Sequence, residues 1–477
     1  MTALVIWSIF PGAVAFILYS LRRWAQAVYW TAVIAALLLA WLAWQFPIGE
    51  PIPIRLWTVL PALRIQATQL LFGGRFTLDN SMRPALVLIY ASIAFWLGGS
   101  GAARTHRLFA PLGLGIAALF TAALASETLP SSAFLFALAA FISVPLVSAP
   151  GEPTRRGALR FLSYLVSGVC LIIFADGLIT ALPSGSGADP TTGIPASILI
   201  LALGFSLTLA VVPFHTWAPM LAEESNPYAA AFVFFLLPLG ISFLALEVLI
   251  RYSLPGLAPA MFVVVRYAGV LMTLAGGVGA AFERHLGRIL GFAAIAQIGM
   301  MLLALSLNDQ LGRATPLIGV YFAQMAPQGL GLALWGLALR ILGYYEPDLD
   351  FRSLQGVAYR LPVASAVLLL ANLSLAGLPL LASFPINVAL WSALIQKSQS
   401  AVLLSLVGNL GLFAAALRTL AVMLQSSEPN RWRISEDRIQ ITLLVAGVVM
   451  LTLAGIFPQA YLPTMANLGI IFAGPTP

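Results

Sequence analysis

Tyr228-Ala229-Ala230-Ala231-Phe232-Val233-Phe234-Phe235-Leu236-Leu237-Pro238-Leu239-Gly240-Ile241-Ser242-Phe243-Leu244-Ala245-Leu246 carries no charged side chain, and Glu247 is the first one after it. A helix of about 20 apolar residues crosses the hydrocarbon core of a bilayer. Runs of this kind recur along the whole chain of 477 residues, which is 60% hydrophobic and 9% charged, with mean hydropathy +0.96. A soluble domain carries roughly 25% charged residues. A surface so poor in charge is soluble only in lipid, and no polar domain interrupts the runs. The chain therefore reads as one all-α membrane domain over 1–477.

The apolar periodicity predicts about fourteen transmembrane helices: 4–21, 25–44, 84–100, 108–125, 131–148, 159–180, 194–213, 228–250, 258–281, 287–306, 315–342, 361–397 with a break, 400–425 and 436–458. Residues 1–107 hold the first three helices and a proline-rich connector, 45–83, whose alternating stretches suggest short strands or a surface helix outside the membrane. Ser184-Gly185-Ser186-Gly187 reads as a flexible turn, and 459–477 as a short apolar tail after the last helix in 436–477. The apolar N-terminus lacks a basic n-region and reads as the first helix rather than a removed signal.

Charge orients the bundle. The net charge is +7, with 24 basic and 17 acidic residues, and Lys397 is the one lysine. With the N-terminus outside, inward loops hold Arg22, Arg23, Arg104, Arg107, Arg155, Arg156, Arg160, Arg284, Arg288, Arg340, Arg352, Arg360, Arg431, Arg433 and Arg438. Outward loops hold Arg55, Arg64, Arg75, Arg83, Arg251, Arg313 and Lys397. Cytoplasmic loops are the arginine-rich ones, so both termini are expected outside, with a prokaryotic plasma membrane as the setting. The excess positive charge therefore marks loops and does not call for nucleic acid. Cys170 stands alone, which excludes an intrachain disulfide and a multi-cysteine metal site.

Two helices look interrupted: the seventh at Pro213-Phe214-His215-Thr216-Trp217-Ala218-Pro219, the twelfth at Gly377-Leu378-Pro379 and Ser383-Phe384-Pro385. Breaks at membrane depth free backbone groups that neighbours or water must satisfy, and they often mark transport paths. Prolines also serve packing alone. The breaks lie five helices apart, as two inverted five-helix repeats would place them, helices 4–8 (108–251) and helices 9–13 (258–425).

The first break, with Glu223-Glu224-Ser225 and Pro227, resembles the PFHxWxPD…EGAPTP signature of the antiporter-like membrane subunits of respiratory complex I, a family shared with Mrp-type cation/proton antiporters. Arg284-His285-Leu286-Gly287-Arg288-Ile289-Leu290-Gly291-Phe292-Ala293-Ala294-Ile295-Ala296-Gln297-Ile298-Gly299 resembles its NxKRxLAYSSIAHxG, and Ser374–Phe384 its SLAGxPPLAGF. Phe76–Asp79 is similar to the early FxxD, and Asp350–Pro362 to the segment before the twelfth helix. The five motifs run in family order, and their spacing across helices seven and eight fits the N-type subunit best.

The resemblance implies a buried glutamate in helix five and lysines in helices seven, eight and twelve, lining a proton path. Here those positions are Ala140, Thr208, Pro238 and Asn387, with Gly287 for a further lysine and Gln297 for a later histidine. The implied role is a membrane-arm subunit of a complex I-like (NADH or ferredoxin):quinone oxidoreductase that has lost the relay, with a drier central axis. Alternatives are a subunit of a cation/proton antiporter or ion-coupled uptake system, or a scaffold in another energy-transducing complex. Partners are expected to be other membrane subunits, lipids and, if a path survives, protons or cations.

The remaining intramembrane charges invite two readings each. Glu247, Arg266 and Asp176 read either as a rewired ion path through Glu247 and Arg266, or as structural ion pairs between helices or charges snorkelling near the interface. His215 either titrates or bonds the broken backbone beside it. Glu223 and Glu224 either cap the helix that follows or dock a neighbouring subunit. Arg418 packs near the inner interface. Gln324, Gln328 and Asn372 are expected to bond between helices. Trp7, Trp24, Trp44 and Trp217 fit interfacial belts. No nucleotide loop, metal-spaced His/Cys cluster or nucleophile–base pair occurs, so no cofactor or catalytic residue is assigned.

Overall fold

The computed structural model describes residues 2–52, 63–71, 73–148, 155–181, 194–251, 258–307, 317–425, 432, 434–463 and 465. The chain opens with a π-helical turn, Val5–Ile9, continued by α1 (Phe10–Ser20), α2 (Ala25–Gln45), α3 (Arg83–Ser100), α4 (Phe109–Ala125), α5 (Leu129–Val147) and α6 (Arg156–Thr180). The seventh predicted helix is split into α7 (Ile194–Thr208) and α8 (Trp217–Glu224). Then follow α9 (Pro227–Arg251), α10 (Ala258–Phe282), α11 (Leu286–Leu305), α12 (Leu317–Tyr345) and a short α13 (Val357–Arg360). The twelfth predicted helix is also split, into α14 (Pro362–Leu375) and α15 (Phe384–Leu394). α16 (Gln399–Leu424) and α17 (Arg438–Ile456) complete the bundle.

Ten of these, α2, α3, α5, α6, α9, α10, α11, α12, α16 and α17, are long and apolar enough to cross a membrane, and shorter apolar helices lie between them. The protein is an integral multi-pass membrane protein. Its connector forms short strands: β1 (Pro51–Ile52) pairs with β2 (Leu63–Arg64), and β3 (Thr68–Leu71) with β4 (Gly74–Thr77), both antiparallel. The expected turn at 184–187 and most of the tail, 459–477, lie outside the described residues.

Burial sorts the helices into a centre and a rim. The α9 stretch Pro227–Leu246 is wholly buried, and α11 and α12 are nearly so, whereas most of α2, α6 and α17 faces outward. α9, α11 and α12 touch one another, so they form the axis around which the rest is arranged. Helix contacts repeat along the chain. α4 touches α5 and α9, as α10 touches α11 and α16; α6 packs on α7 and α8, as α12 packs on α14 and α15.

Small residues bring the backbones together, as they must where lipid supplies no hydrophobic drive between helices. A Cβ on Gly277 of α10 would lie 1.8 Å from the Gly408 carbonyl oxygen of α16, and one on Gly299 of α11 would lie 2.5 Å from the Thr273 nitrogen of α10. α8 meets α11 the same way: Cβ atoms on Gly287 and Gly291 would each sit 2.6 Å from α8 backbone.

The four tryptophans expected at interfaces differ in burial. Trp24 and Trp44 are exposed, but Trp7 is fully buried and donates its indole N–H to the Leu39 carbonyl at 3.2 Å, and Trp217 is buried against Phe161. Their position at helix ends is the same in sequence; the neighbours that cover them come from other helices.

Candidate functional site: two broken helices and the residues at their ends

Both breaks end the preceding helix with the same hydrogen-bond pattern. After α7, Ala210 takes a left-handed φ of 57°, and the Val211 N–H reaches back to the Ser206 carbonyl at 2.9 Å. After α14, Gly377 takes φ 85°, and the Leu378 N–H reaches the Leu373 carbonyl at 2.9 Å. A left-handed residue followed by this six-to-one bond is the Schellman stop, which satisfies carbonyls a helix end would otherwise orphan. Pro213 and Pro379, which carry no N–H, then prevent continuation. The chain resumes as a 3-10 turn, Phe214–Thr216, leading into α8, and as α15 with Pro385 near its start.

Gln297 of α11 completes the second break. Its Nε2 donates to the Leu375 carbonyl, the last residue of α14, at 3.0 Å, and both residues are buried. Asn387 of α15 is buried on the other side of the break, where its Nδ2 would lie 2.8 Å from a Cβ on Gly377. In the first break Thr208 is buried and bonds its own helix at the Phe205 carbonyl, 3.0 Å. Ala140 is fully buried in α5, its carbonyl accepting from Ser143 at 2.6 Å. Pro238 is buried within α9, which runs through it unbroken; Ser242 donates to the Pro238 carbonyl at 2.6 Å, and Tyr321 of α12 donates to Ser242 at 2.6 Å. His215 is half-buried, its ring 6.4 Å from that of Phe292 on α11.

The charged candidates sit at helix ends. Glu224 does cap a helix, but not the one that follows it: its Oε2 accepts from the Gly157 N–H at 2.8 Å, in the first turn of α6. α9 takes its cap from Asn226, whose Oδ1 accepts from the Tyr228 N–H at 3.0 Å. Glu223 lies 3.9 Å from Arg288 on α11, and Arg288 also meets Glu283 at 3.1 Å, so Glu223 faces a helix of its own chain. Arg266 donates to the Ser306 carbonyl at the end of α11, 3.3 Å, where a cation is favoured by the helix dipole. The Glu247 backbone is part of α9, and its side chain lies outside the described residues. Arg418 bonds the carbonyls of Ala281, in the last turn of α10, and of Glu283, just past it, with its guanidinium over the Phe351 ring. Glu436, not singled out by the sequence reading, caps α14 by accepting from the Val363 and Ala364 N–H groups at 2.9 and 3.1 Å.

The expected interhelical bonds of Gln324 and Asn372 are not made. Both ends of the Gln324, Asn372 and Asn409 amides, and the Ser374 hydroxyl, are buried with no hydrogen-bond partner among the described residues. They belong to α12, α14 and α16; Gln328, also on α12, is buried as well. The signal for Asn409 was a lone amide in the middle of an apolar helix. In the first half the buried hydroxyls of Thr121, Ser132, Ser143 and Thr208 are each satisfied by a backbone carbonyl.

With this geometry in hand, the model of the family described as NADH:quinone oxidoreductase/Mrp antiporter, TM, matches residues 165–413. The chain belongs to the NADH:quinone oxidoreductase/Mrp antiporter transmembrane family. The match runs from α6 to α16 and so includes both breaks, His215, Gln297 and the amides. Solved structures share the fold of the whole chain. A chain of the Mrp complex from Dietzia sp. DQ12-45-1b is 16% identical, with 99% of this chain and 98% of that chain covered and a TM-score of 0.76. A chain of the membrane-bound sulfane sulfur reductase, an archaeal respiratory membrane complex, is 16% identical over 98% and 97%, TM-score 0.79. A chain of respiratory complex I from Thermus thermophilus with bound NADH is 18% identical over 97% and 99%, TM-score 0.73. At such identities the likeness is one of fold.

Proposed function

We propose that this member of the family is an antiporter-like membrane-arm subunit of a complex I-like quinone oxidoreductase that does not move protons by a lysine relay. One observation carries the reading. The positions that the family resemblance assigns to the relay are Ala140, Thr208, Pro238 and Asn387, all buried, and none exchanges a proton near neutral pH. With one lysine in the chain, at the far end of the twelfth helix, no shift of register restores the relay. The two breaks persist as helix stops closed by backbone bonds and by Gln297, a neutral donor. Arg266, Arg288 and Arg418 bond helix ends or carboxylates, which suits structural roles.

The similar folds all come from multi-subunit membrane complexes, which supports other membrane subunits as partners. Both termini face outward in this reading, so reporter fusions after residues 105 and 157 report the cytoplasm; an outward report at both overturns it. The functional test replaces Glu247 with Gln and Arg266 with Met in the assembled complex and measures protons moved per electron pair. An unchanged ratio with normal assembly supports the inert reading. A lower ratio with normal assembly reveals a surviving path. Cation/proton exchange by the purified chain alone in liposomes favours the antiporter reading instead.

A further inference from the structure

Between α2, α3 and α17 the protein has a groove of about 1120 Å³ on its outer face, floored by Leu334 and Leu337 of α12. Its two ends differ in chemistry. One end is cationic: Arg104, Arg107 and Arg438 are exposed there, with His106 beside them. None of the three arginines has a carboxylate partner among the described residues. Asp437, the acid at this end, is already committed, as its side chain accepts from the backbone in the first turn of α17. Arg104 takes a left-handed φ of 45°, a conformation a non-glycine side chain adopts only under constraint, and its guanidinium lies over the Tyr344 ring at 4.3 Å. The other end is apolar, walled by Trp30, Val33, Phe95 and Met450.

The length of the groove selects the occupant. Arg438 to Met450 is one helix face, about 18 Å at 1.5 Å per residue. A bilayer hydrocarbon core is ~30 Å thick, so one leaflet is about 15 Å. A partner's transmembrane helix would need a trench along the full thickness; this one spans a single leaflet, with all its unpaired charge at the interface. The geometry points to a binding site for one anionic phospholipid, its phosphate on Arg104, Arg107 and Arg438 and an acyl chain along Trp30, Phe95 and Met450. Basic pockets between transmembrane helices hold anionic headgroups by the same electrostatics. A zwitterionic lipid offers the same chain but no net charge to the three cations.

The test uses the assembled complex in phosphatidylcholine vesicles containing a trace of photoactivatable phosphatidylglycerol, with labelled peptides read by mass spectrometry. Label is expected on the segments around Trp30, Phe95 and Met450, and photoactivatable phosphatidylcholine at the same level labels them far less. Each basic residue near the surface is worth about fivefold, so the triple variant Arg104→Gln, Arg107→Gln, Arg438→Gln loses the label by roughly a hundredfold. The triple arginine-to-lysine variant keeps most of it. Ala446→Trp, which fills the groove and leaves the cations in place, also abolishes it, and this arm decides the matter if the glutamine variant fails to assemble. Equal labelling by both lipids, unchanged labelling in the glutamine variant or in Ala446→Trp, or a cross-link from a neighbouring subunit's helix into the groove overturns the proposal. Loss of label on adding inorganic phosphate assigns the cations to a free anion and overturns it as well.

Discussion

Replacing Gln297 with Met removes one hydrogen bond and little volume, and isolates what holds the second break closed. The bond runs from Nε2 to the Leu375 carbonyl at 3.0 Å, with Gln297 7% exposed and Leu375 fully buried. An interhelical hydrogen bond in a membrane protein is worth about 0.6 kcal/mol on average. A buried carbonyl left without a partner costs ~1–3 kcal/mol. The second figure governs here, because Leu375 is the last residue of α14, where the helix dipole concentrates negative charge on the carbonyls. A cost of about 2 kcal/mol raises the open population of the break roughly thirtyfold. Hydrogen–deuterium exchange of the assembled complex, read on the peptide covering 376–384, should speed up accordingly, with a lower Tm. Asn372→Leu is the control: it removes an amide of the same helix that has no hydrogen-bond partner among the described residues, and should cost well under ~1 kcal/mol. If Gln297→Met exchanges like the wild type, or if Asn372→Leu costs as much, the assignment of Gln297 as the closing bond is wrong.

Three further outcomes follow from the same geometry. Ala210 pays a left-handed penalty of ~1–2 kcal/mol that glycine avoids, partly offset by glycine's looser unfolded chain, so Ala210→Gly should raise the Tm of the complex; a lower Tm refutes the Schellman reading of the first break. Gly277→Ala places a Cβ 1.8 Å from the Gly408 oxygen where ordinary contact begins at 3.4 Å, so α10 and α16 must part by about 1.6 Å; the cost is ~3 kcal/mol or more, and yield of assembled complex, read on a native gel, should collapse. Buried polar groups without protein partners are satisfied by water, so a high-resolution map of the complex should show ordered density beside Asn372 and Asn409; amides lying bare against apolar neighbours would count against it.

The membrane fold was legible because it rests on quantities a sequence displays: uncharged runs of spanning length, prolines clustered at the breaks around Pro213 and Pro379, and arginines gathered in loops. The resemblance assigned the relay positions residue by residue. What could not be read was which distant atoms meet. Glu224 was expected to cap a helix, and does, but the helix is α6, 67 residues away; a carboxylate in a loop does not announce which helix start will face it. Gln324 and Asn372 were expected to find partners because buried amides usually do, yet among the described residues neither has one; interhelical distance is invisible in one dimension. Gln297 looked like a lost histidine and proved to close a helix end. Buried hydroxyls in both halves turn back on backbone carbonyls, whereas the unpartnered amides among the described residues, Gln324, Asn372 and Asn409, all lie in the second.

The glycines at 287 and 291 bring α8 of the first half against α11 of the second at backbone distance. Backbone pressed on backbone has no rotamers to yield. A push delivered to one half of the chain is therefore passed to the other without a compliant layer to absorb it, and the domain acts as a strut.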